Sequence, residues 1–190
     1  MGNKILTPDE CTKISAALAL SYYNAYNKKI VKDGSTYAGD WKFAKGATYW
    51  SPYFGNKMIN LELCAIPVAD SASMEALSYS AEFNNWGPLD FNYWATPSGV
   101  AWKTHFGGYR KSDGVMMDFF AYSYLDVNDY GEITHWETHV NSAYDRFLDV
   151  AIGTHGPFPG PDAYMAAVNK KLNAAGIDFL SVIHKSGSNK

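Results

Sequence analysis

Charge is scarce in this chain. Only 18% of its 190 residues are Asp, Glu, Lys or Arg, the net charge is -3 and the pI is near 5.9. A surface for nucleic acid or an anionic membrane needs a clustered positive field, so neither partner is expected. Cysteine is scarcer still. Cys11 and Cys64 are the only two, at no metal-type spacing, which argues for free thiols rather than a disulfide framework or a zinc site. The opening Met-Gly-Asn-Lys-Ile-Leu lacks the long apolar core of a signal peptide, and a cytoplasmic location is expected. Leu6 stands where a myristoylation pattern wants Ser or Thr, which sets lipidation aside. There is no internal repeat, low-complexity tract or linker. A single domain over 1–190 is expected, long enough for a sizeable core.

What the chain has in abundance is rings. Hydrophobic residues make up 47% and aromatics 16%, and a ring-lined cavity is one reason for a chain to carry so many. The first helix is marked by Thr7-Pro8-Asp9-Glu10, where Thr7 caps, Pro8 takes the first helical position and Glu10 completes a capping box. Ile14, Ala17, Leu18, Ser21, Tyr22 and Ala25 then recur at helical spacing to about Asn27. After a polar loop, Asp40 to Ala44 reads as a short helical turn and Ala47 to Tyr53 as a strand stopped by Pro52. Alternation at Ile59, Leu61 and Leu63 suggests another short strand. Ser73 caps a helix from Met74 to Phe83, which Gly87-Pro88 ends. Beyond Asn141 the chain reads as helical through Val150. It then crosses a turn-rich stretch and forms a last helix opened by Pro161 and closed by Gly176.

Between Ala101 and Asn141 lie three successive antiparallel strands. The turn Lys111-Ser112-Asp113-Gly114 pairs Arg110 with Val115, so His105 faces Phe120 and Lys103 faces Tyr122. The turn Asn128-Asp129-Tyr130-Gly131 pairs Tyr124 with His135, Tyr122 with Glu137, Phe120 with His139 and Asp118 with Asn141. Because side chains alternate with period two, one face carries Lys103, His105, Asp118, Phe120, Tyr122, Tyr124, His135, Glu137, His139 and Asn141. The other carries Trp102, Thr104, Phe106, Met117, Phe119, Ala121, Leu125, Trp136, Thr138 and Val140. A one-residue slip in either hairpin would scramble this grouping.

The capped first helix, the Trp41-Lys42-Phe43-Ala44 segment leading into Tyr49-Trp50-Ser51-Pro52-Tyr53, the second helix and the final meander together resemble the nuclear-transport-factor-2-like, or SnoaL-like, superfamily over about residues 7–150. Its most specific piece is the run from Phe119 through Gly131 to Asn141, which resembles the last hairpin of that superfamily. The resemblance implies an α+β fold: a cone-shaped α+β barrel in which a strongly curved antiparallel sheet wraps around N-terminal helices. It implies a ligand pocket inside the cone and a homodimer through the outer sheet face. The superfamily often carries Trp and Asp facing the pocket in the last strand, and the matching positions here are Glu137 and Asn141, a departure that weakens a polyketide-cyclase role. The segment 151–190 is extra to the pattern, a C-terminal helical extension expected either to lid the cone or to cross to a partner. The aromatic richness is similar to that of the sphingomonad diarylpropane lyases, cofactor-free enzymes that release formaldehyde from lignin-derived diaryl diols.

The resemblance leads us to expect the polar face inside the cone and the apolar face at the dimer interface; the opposite assignment, with the apolar face as core, stays open. Enclosed among rings, Lys103, His105, Asp118, Tyr122, Glu137 and His139 are candidate catalytic groups whose acidities desolvation and mutual charge would shift. His105 is the candidate base, oriented by its diagonal neighbour Asp118, with Tyr122 or Lys103 holding a developing oxyanion or phenolate. Tyr22, Tyr26, Trp50, Phe120, Tyr124 and Asn141 are candidate substrate contacts, although Tyr22 and Tyr26 suit core positions first and Asn141 suits a helix N-cap first. Three alternate residues on one strand span about 13 Å, so His135, Glu137 and His139 are not expected to share a metal, and no cofactor is expected. The expected activity is that of a cofactor-independent lyase, a dehydratase or a deformylating carbon-carbon lyase, acting on an aromatic, phenolic or polycyclic small molecule. A polyketide cyclase, a ketosteroid-type isomerase and a non-catalytic binding module are the alternatives.

Overall fold

The computed structural model describes residues 7–10, 13, 43–63 and 68–179. Within them, strands β1 (Phe43–Trp50), β2 (Ile59–Asn60), β3 (Phe83–Thr96), β4 (Gly99–Arg110), β5 (Met116–Val127) and β6 (Ile133–Val140) form one curved sheet in the order β2-β1-β6-β5-β4-β3. Helix α1 (Val68–Glu82) precedes β3, and helices α2 (Ala143–Ala151) and α3 (Pro161–Ala174) follow β6. The sheet is mixed rather than purely antiparallel, because β1 runs parallel to β6. No helix among the described residues is long and apolar enough to cross a membrane.

The capping box forms as its residue types require. Glu10 Oε2 accepts from the Thr7 backbone N–H at 2.9 Å, and the Glu10 backbone N–H reaches Thr7 Oγ1 at 3.3 Å. The stripe beyond it, with Tyr22 and Tyr26, and the Asp40 to Lys42 part of the expected turn lie outside the described residues; Phe43 and Ala44 already belong to β1. Pro52 does end the strand, opening a 3-10 turn over Pro52–Phe54 whose N-cap Ser51 accepts from the Tyr53 N–H. The short strand expected at 59–63 shrinks to two residues followed by a 3-10 turn, Leu61–Leu63.

The largest departure is β3. Gly87-Pro88 ends no helix: α1 stops at Glu82 and the proline lies inside a 14-residue strand. A proline has no N–H to give a ladder, and this strand accommodates it by lying at the sheet edge with register shifts on both sides of Gly87 and Pro88. The β4/β5 pairing is as the turn predicts, His105 facing Phe120 and Lys103 facing Tyr122. The β5/β6 pairing is offset by two residues, so that Tyr124 faces Glu137 and Tyr122 faces His139. Asn128 is the cause. Its N–H reaches Glu132 O, and its Oδ1 accepts from both Tyr130 N and Glu132 N, which makes a longer loop than a four-residue turn and leaves a bulge at Asp126/Val127. A slip of two keeps every side chain on its face.

The helices cover the face carrying Trp102, Phe106, Phe119, Leu125 and Trp136. All five are buried, and Phe119 meets Phe147 and Tyr144 of α2 at ring separations of 4.9 and 4.5 Å. Phe83 stacks on Phe147 at 4.6 Å, and Trp86 joins them edge-on. Of the C-terminal segment, the described residues 151–179 pack into the fold. Tyr164, Met165, Val168 and Leu172 of α3 are buried in this same core, and Lys171 pairs with Glu82 at the end of α1.

Candidate functional site

The structure reverses the expected assignment of faces. Lys103, His105, Asp118, Phe120, Tyr122, Tyr124, Glu137 and His139 do share one face, but it is the outer one, and the apolar face, expected at a dimer interface, is the core. The residues of the polar face do not line a dry chamber: the side chains of Asp118, His139 and Glu137 are 48%, 38% and 33% exposed. The physical reason is that the aromatic side chains of the apolar face are what the helices can cover at least cost. The rings scattered through the polar face serve its cations and imidazoles instead. His105 stacks on Phe120 at 4.3 Å, Lys103 Nζ lies 4.4 Å over the same ring, and His139 meets Trp50 edge-on at 5.4 Å.

On that face the residues form two His-carboxylate pairs. His105 Nε2 lies 2.6 Å from Asp118 Oδ2, the diagonal contact that strand geometry predicts, and His139 is hydrogen-bonded to Glu137. His135 is engaged by Thr48 Oγ1 at 2.8 Å. Asn141 is not the helix cap; Ser142 holds that position, and Asn141 Oδ1 accepts from Phe120 N at 3.1 Å, which continues the β5/β6 pairing one residue past the end of β6. Among the described residues, no three His, Cys, Asp or Glu side chains are grouped to hold a metal.

The concave side holds a different constellation. Glu75 and Tyr79 sit four apart on α1 and therefore on one helix face, and Tyr79 donates to Glu75 Oε1 at 2.8 Å. The Tyr164 hydroxyl of α3 is within hydrogen-bond reach of both that oxygen and the Tyr79 hydroxyl, and its single proton goes to one or the other. Tyr144 of α2 is 3.5 Å from that oxygen and is joined chiefly through Tyr79 at 3.1 Å and Tyr164 at 3.3 Å. One carboxylate oxygen thus gathers hydroxyls from all three helices. Burial pushes the three tyrosine hydroxyls well above their ordinary acidity range, and the nearby Glu75 charge pushes them further. They are held as neutral donors.

Facing this cluster, Tyr49 of β1 has its hydroxyl raised to about 12 by burial, against hydrogen bonds to Thr138 and Ser51, and Glu75 is near enough for its charge to add to the rise. Thr138 in turn bonds Ser123 at 3.1 Å. Trp102 and Trp136 cross at 6.2 Å beside this row of hydroxyls. Tyr53 closes the rim: its hydroxyl donates to Asp145 at 2.9 Å and accepts from Gly156 N at 2.8 Å, pinning the turn before Phe158. One carboxylate, several locked phenol donors and a strip of hydroxyls set among aromatic rings are groups that can hydrogen-bond an oxygen and exchange a proton with it. Sequence reasoning missed Glu75, Tyr79, Tyr144 and Tyr164. The four-residue spacing of the first two was visible within the expected helix, whereas the convergence of α2 and α3 on them carries no sequence signal.

No family model matches the chain, and no curated protein matches it. Among solved structures it is similar to PrhC from Penicillium brasilianum, at 7% identity over 84% of this chain and 96% of that one with a TM-score of 0.47. It is similar to a phenazine biosynthesis-related protein from Pseudomonas aeruginosa, at 12% identity over 76% and 88% with a TM-score of 0.45. A third is a hypothetical protein with a ketosteroid isomerase-like fold from Catenulispora acidiphila, in complex with trimethylamine, at 13% identity over 73% and 90% with a TM-score of 0.41. The structural neighbours are NTF2-like, SnoaL-like and ketosteroid isomerase-like proteins. None of these likenesses carries an activity to this chain.

Proposed function

We propose that this protein is a SnoaL-like, cofactor-independent acid-base enzyme that holds an aromatic or phenolic small molecule in its concave interior. Glu75 is the proton acceptor, and the Tyr79, Tyr144 and Tyr164 hydroxyls are the donors. The supporting observation is the gathering of these hydroxyls about one Glu75 oxygen inside an aromatic wall. A carboxylate so bonded is a stabilised anion and a weak base. When a substrate oxygen takes over one of the hydroxyls, the carboxylate loses that bond and gains basicity, while the donor is already placed for the charge that develops on the substrate. The reaction that fits is a lyase step. For loss of water, Glu75 takes a carbon-bound proton, that electron pair becomes a C=C bond conjugated with the ring, and the C–O bond breaks as a tyrosine hydroxyl protonates the departing oxygen. For loss of formaldehyde, Glu75 takes the hydroxyl proton, the C–C bond breaks as the O–H pair becomes the C=O of formaldehyde, and the pair left on the ring-bearing carbon takes a proton from a tyrosine, which Glu75 then reprotonates. Isomerisation or polyketide cyclisation would use the same groups, and a binding module would use the same walls without turnover.

The test is a screen of phenolic and polycyclic compounds for thermal stabilisation, which follows when a ligand binds only the folded state. Product mass follows for each compound found. A product lighter by water or formaldehyde supports a lyase, unchanged mass an isomerase or cyclase, and no product from any stabilising compound a binding module.

A second reading has one specific observation behind it, the 2.6 Å His105–Asp118 contact. On this reading the pair works at an outer face closed by a second subunit. That face presents Trp94, Tyr122 and Tyr124 at 55%, 39% and 51% exposure, an apolar patch suited to a homodimer. Sedimentation equilibrium of wild type and Tyr124→Lys checks the dimer: a wild-type monomer at micromolar concentration removes this reading.

A further inference from the structure

Three small side chains meet on the sheet face that the helices cover. Thr104 pairs with Ala121 across β4 and β5, and Ser123 follows two residues on along the same face. Trp102 lies opposite Ser123, and Phe106 lies opposite Phe119 on the far side of this patch. The Ser123 hydroxyl is occupied by Thr138, which is bonded in turn to Tyr49. Thr104 differs. It is fully buried, at 0% exposure, and its Oγ1 has no hydrogen-bond partner among the described residues.

A buried hydroxyl without a partner costs stability that a valine of nearly the same shape would not, and β-branched valine suits a strand equally well. A polar atom held at such a cost on a ring-walled floor fits a bond completed by something absent from the free protein. We infer that Thr104 is a specificity-determining residue: its hydroxyl receives an oxygen of the bound aromatic molecule, a phenol or carbonyl, and selects that molecule over its oxygen-free counterpart. This rests on the reading of the concave interior as an aromatic-ligand site. A site built to hydrogen-bond a substrate oxygen discriminates against analogues lacking it, because its own polar group is then left unpaired.

The experiment uses 2-naphthol and 2-methylnaphthalene, which are alike in shape and differ in the oxygen, titrated calorimetrically into the full chain as wild type, Thr104→Val and Thr104→Ser. Wild type is expected to prefer 2-naphthol by about three- to tenfold, the range one neutral hydrogen bond supplies. Thr104→Val is expected to lose that preference while melting at or above the wild-type temperature, and Thr104→Ser to keep it. A Thr104→Val protein that retains the preference overturns the inference and leaves the aromatic site standing. So does a Thr104→Val protein that melts lower or does not fold, since the hydroxyl is then satisfied within the protein. If neither compound binds wild type, the aromatic-ligand reading fails and this inference falls with it.

Discussion

The Glu75 cluster predicts a measurable coupling between two helices far apart in sequence. Tyr164→Phe removes a hydroxyl that bonds both Glu75 and Tyr79, and Glu75→Gln keeps the side-chain length and an acceptor oxygen while removing the charge. A hydrogen bond onto a charged group contributes about 1.5–3 kcal/mol, against about 0.5–1.5 for a neutral pair. Glu75 is half-buried rather than buried, which favours the lower end of the charged range. Tyr164→Phe is therefore expected to cost about 2 kcal/mol. Glu75→Gln, which weakens the bonds from Tyr79 and Tyr164 without deleting them, is expected to cost about 1 kcal/mol. Because the two substitutions act on one shared bond, the double variant should fall short of the sum by about 1 kcal/mol. Independent sites add to within roughly 0.3–0.5 kcal/mol, so the difference is resolvable. Equilibrium urea unfolding of the four proteins reads it, with Tyr130→Phe as a control, a turn residue 85% exposed that should change nothing. Additivity within that scatter would refute the cluster as an energetic unit.

Two further predictions concern the same interior and the frame around it. The hydroxyls of Tyr49, Tyr79, Tyr144 and Tyr164 are raised by burial, Tyr49 to about 12, whereas in the unfolded chain they ionise near 10. Above pH 10 the unfolded state has given up protons that the folded state retains. The stability these groups contribute is whole below pH 10 and is lost as pH rises, by about 1.4 kcal/mol per pH unit for each. Absorbance titration should show these four ionising only with alkaline unfolding, and a single smooth transition of all 14 tyrosines in a folded protein would contradict it. At the start of β4, a Cβ on Gly99 would lie 1.9 Å from the Leu125 carbonyl oxygen, so Gly99→Ala must move backbone and is expected to cost about 3 kcal/mol or more in urea unfolding. A cost below about 1 kcal/mol would mean the two strands are less closely apposed.

Local chemistry was legible in the sequence. Thr7 and Glu10 announce their capping box, and the Lys111 to Gly114 turn fixes the β4/β5 register to the residue. The parity of the faces was legible too, and it survived the two-residue offset that Asn128 introduces. Which face lies inside was not. That depends on what α1, α2 and α3 cover, and strands carrying His105, Phe120 and Tyr122 alternate with equal regularity whichever side the helices choose. Pro88 hid β3 because its effect in a strand depends on whether the strand is an edge, a property of the sheet rather than of the residue. The Glu75 cluster was illegible for the same kind of reason: its members come from three helices, and only tertiary packing brings Tyr144 and Tyr164 to one carboxylate.

The proposed working site lies on the concave side, at Glu75, and not on the outer face at His105. Turnover of any compound the wild type converts, measured side by side for Glu75→Gln and His105→Ala with folding verified by thermal melting, separates the two. Glu75→Gln is expected to lose about 10²-fold or more, the scale of a missing general base, and His105→Ala to keep near wild-type turnover. Loss in His105→Ala with retained turnover in Glu75→Gln would contradict it.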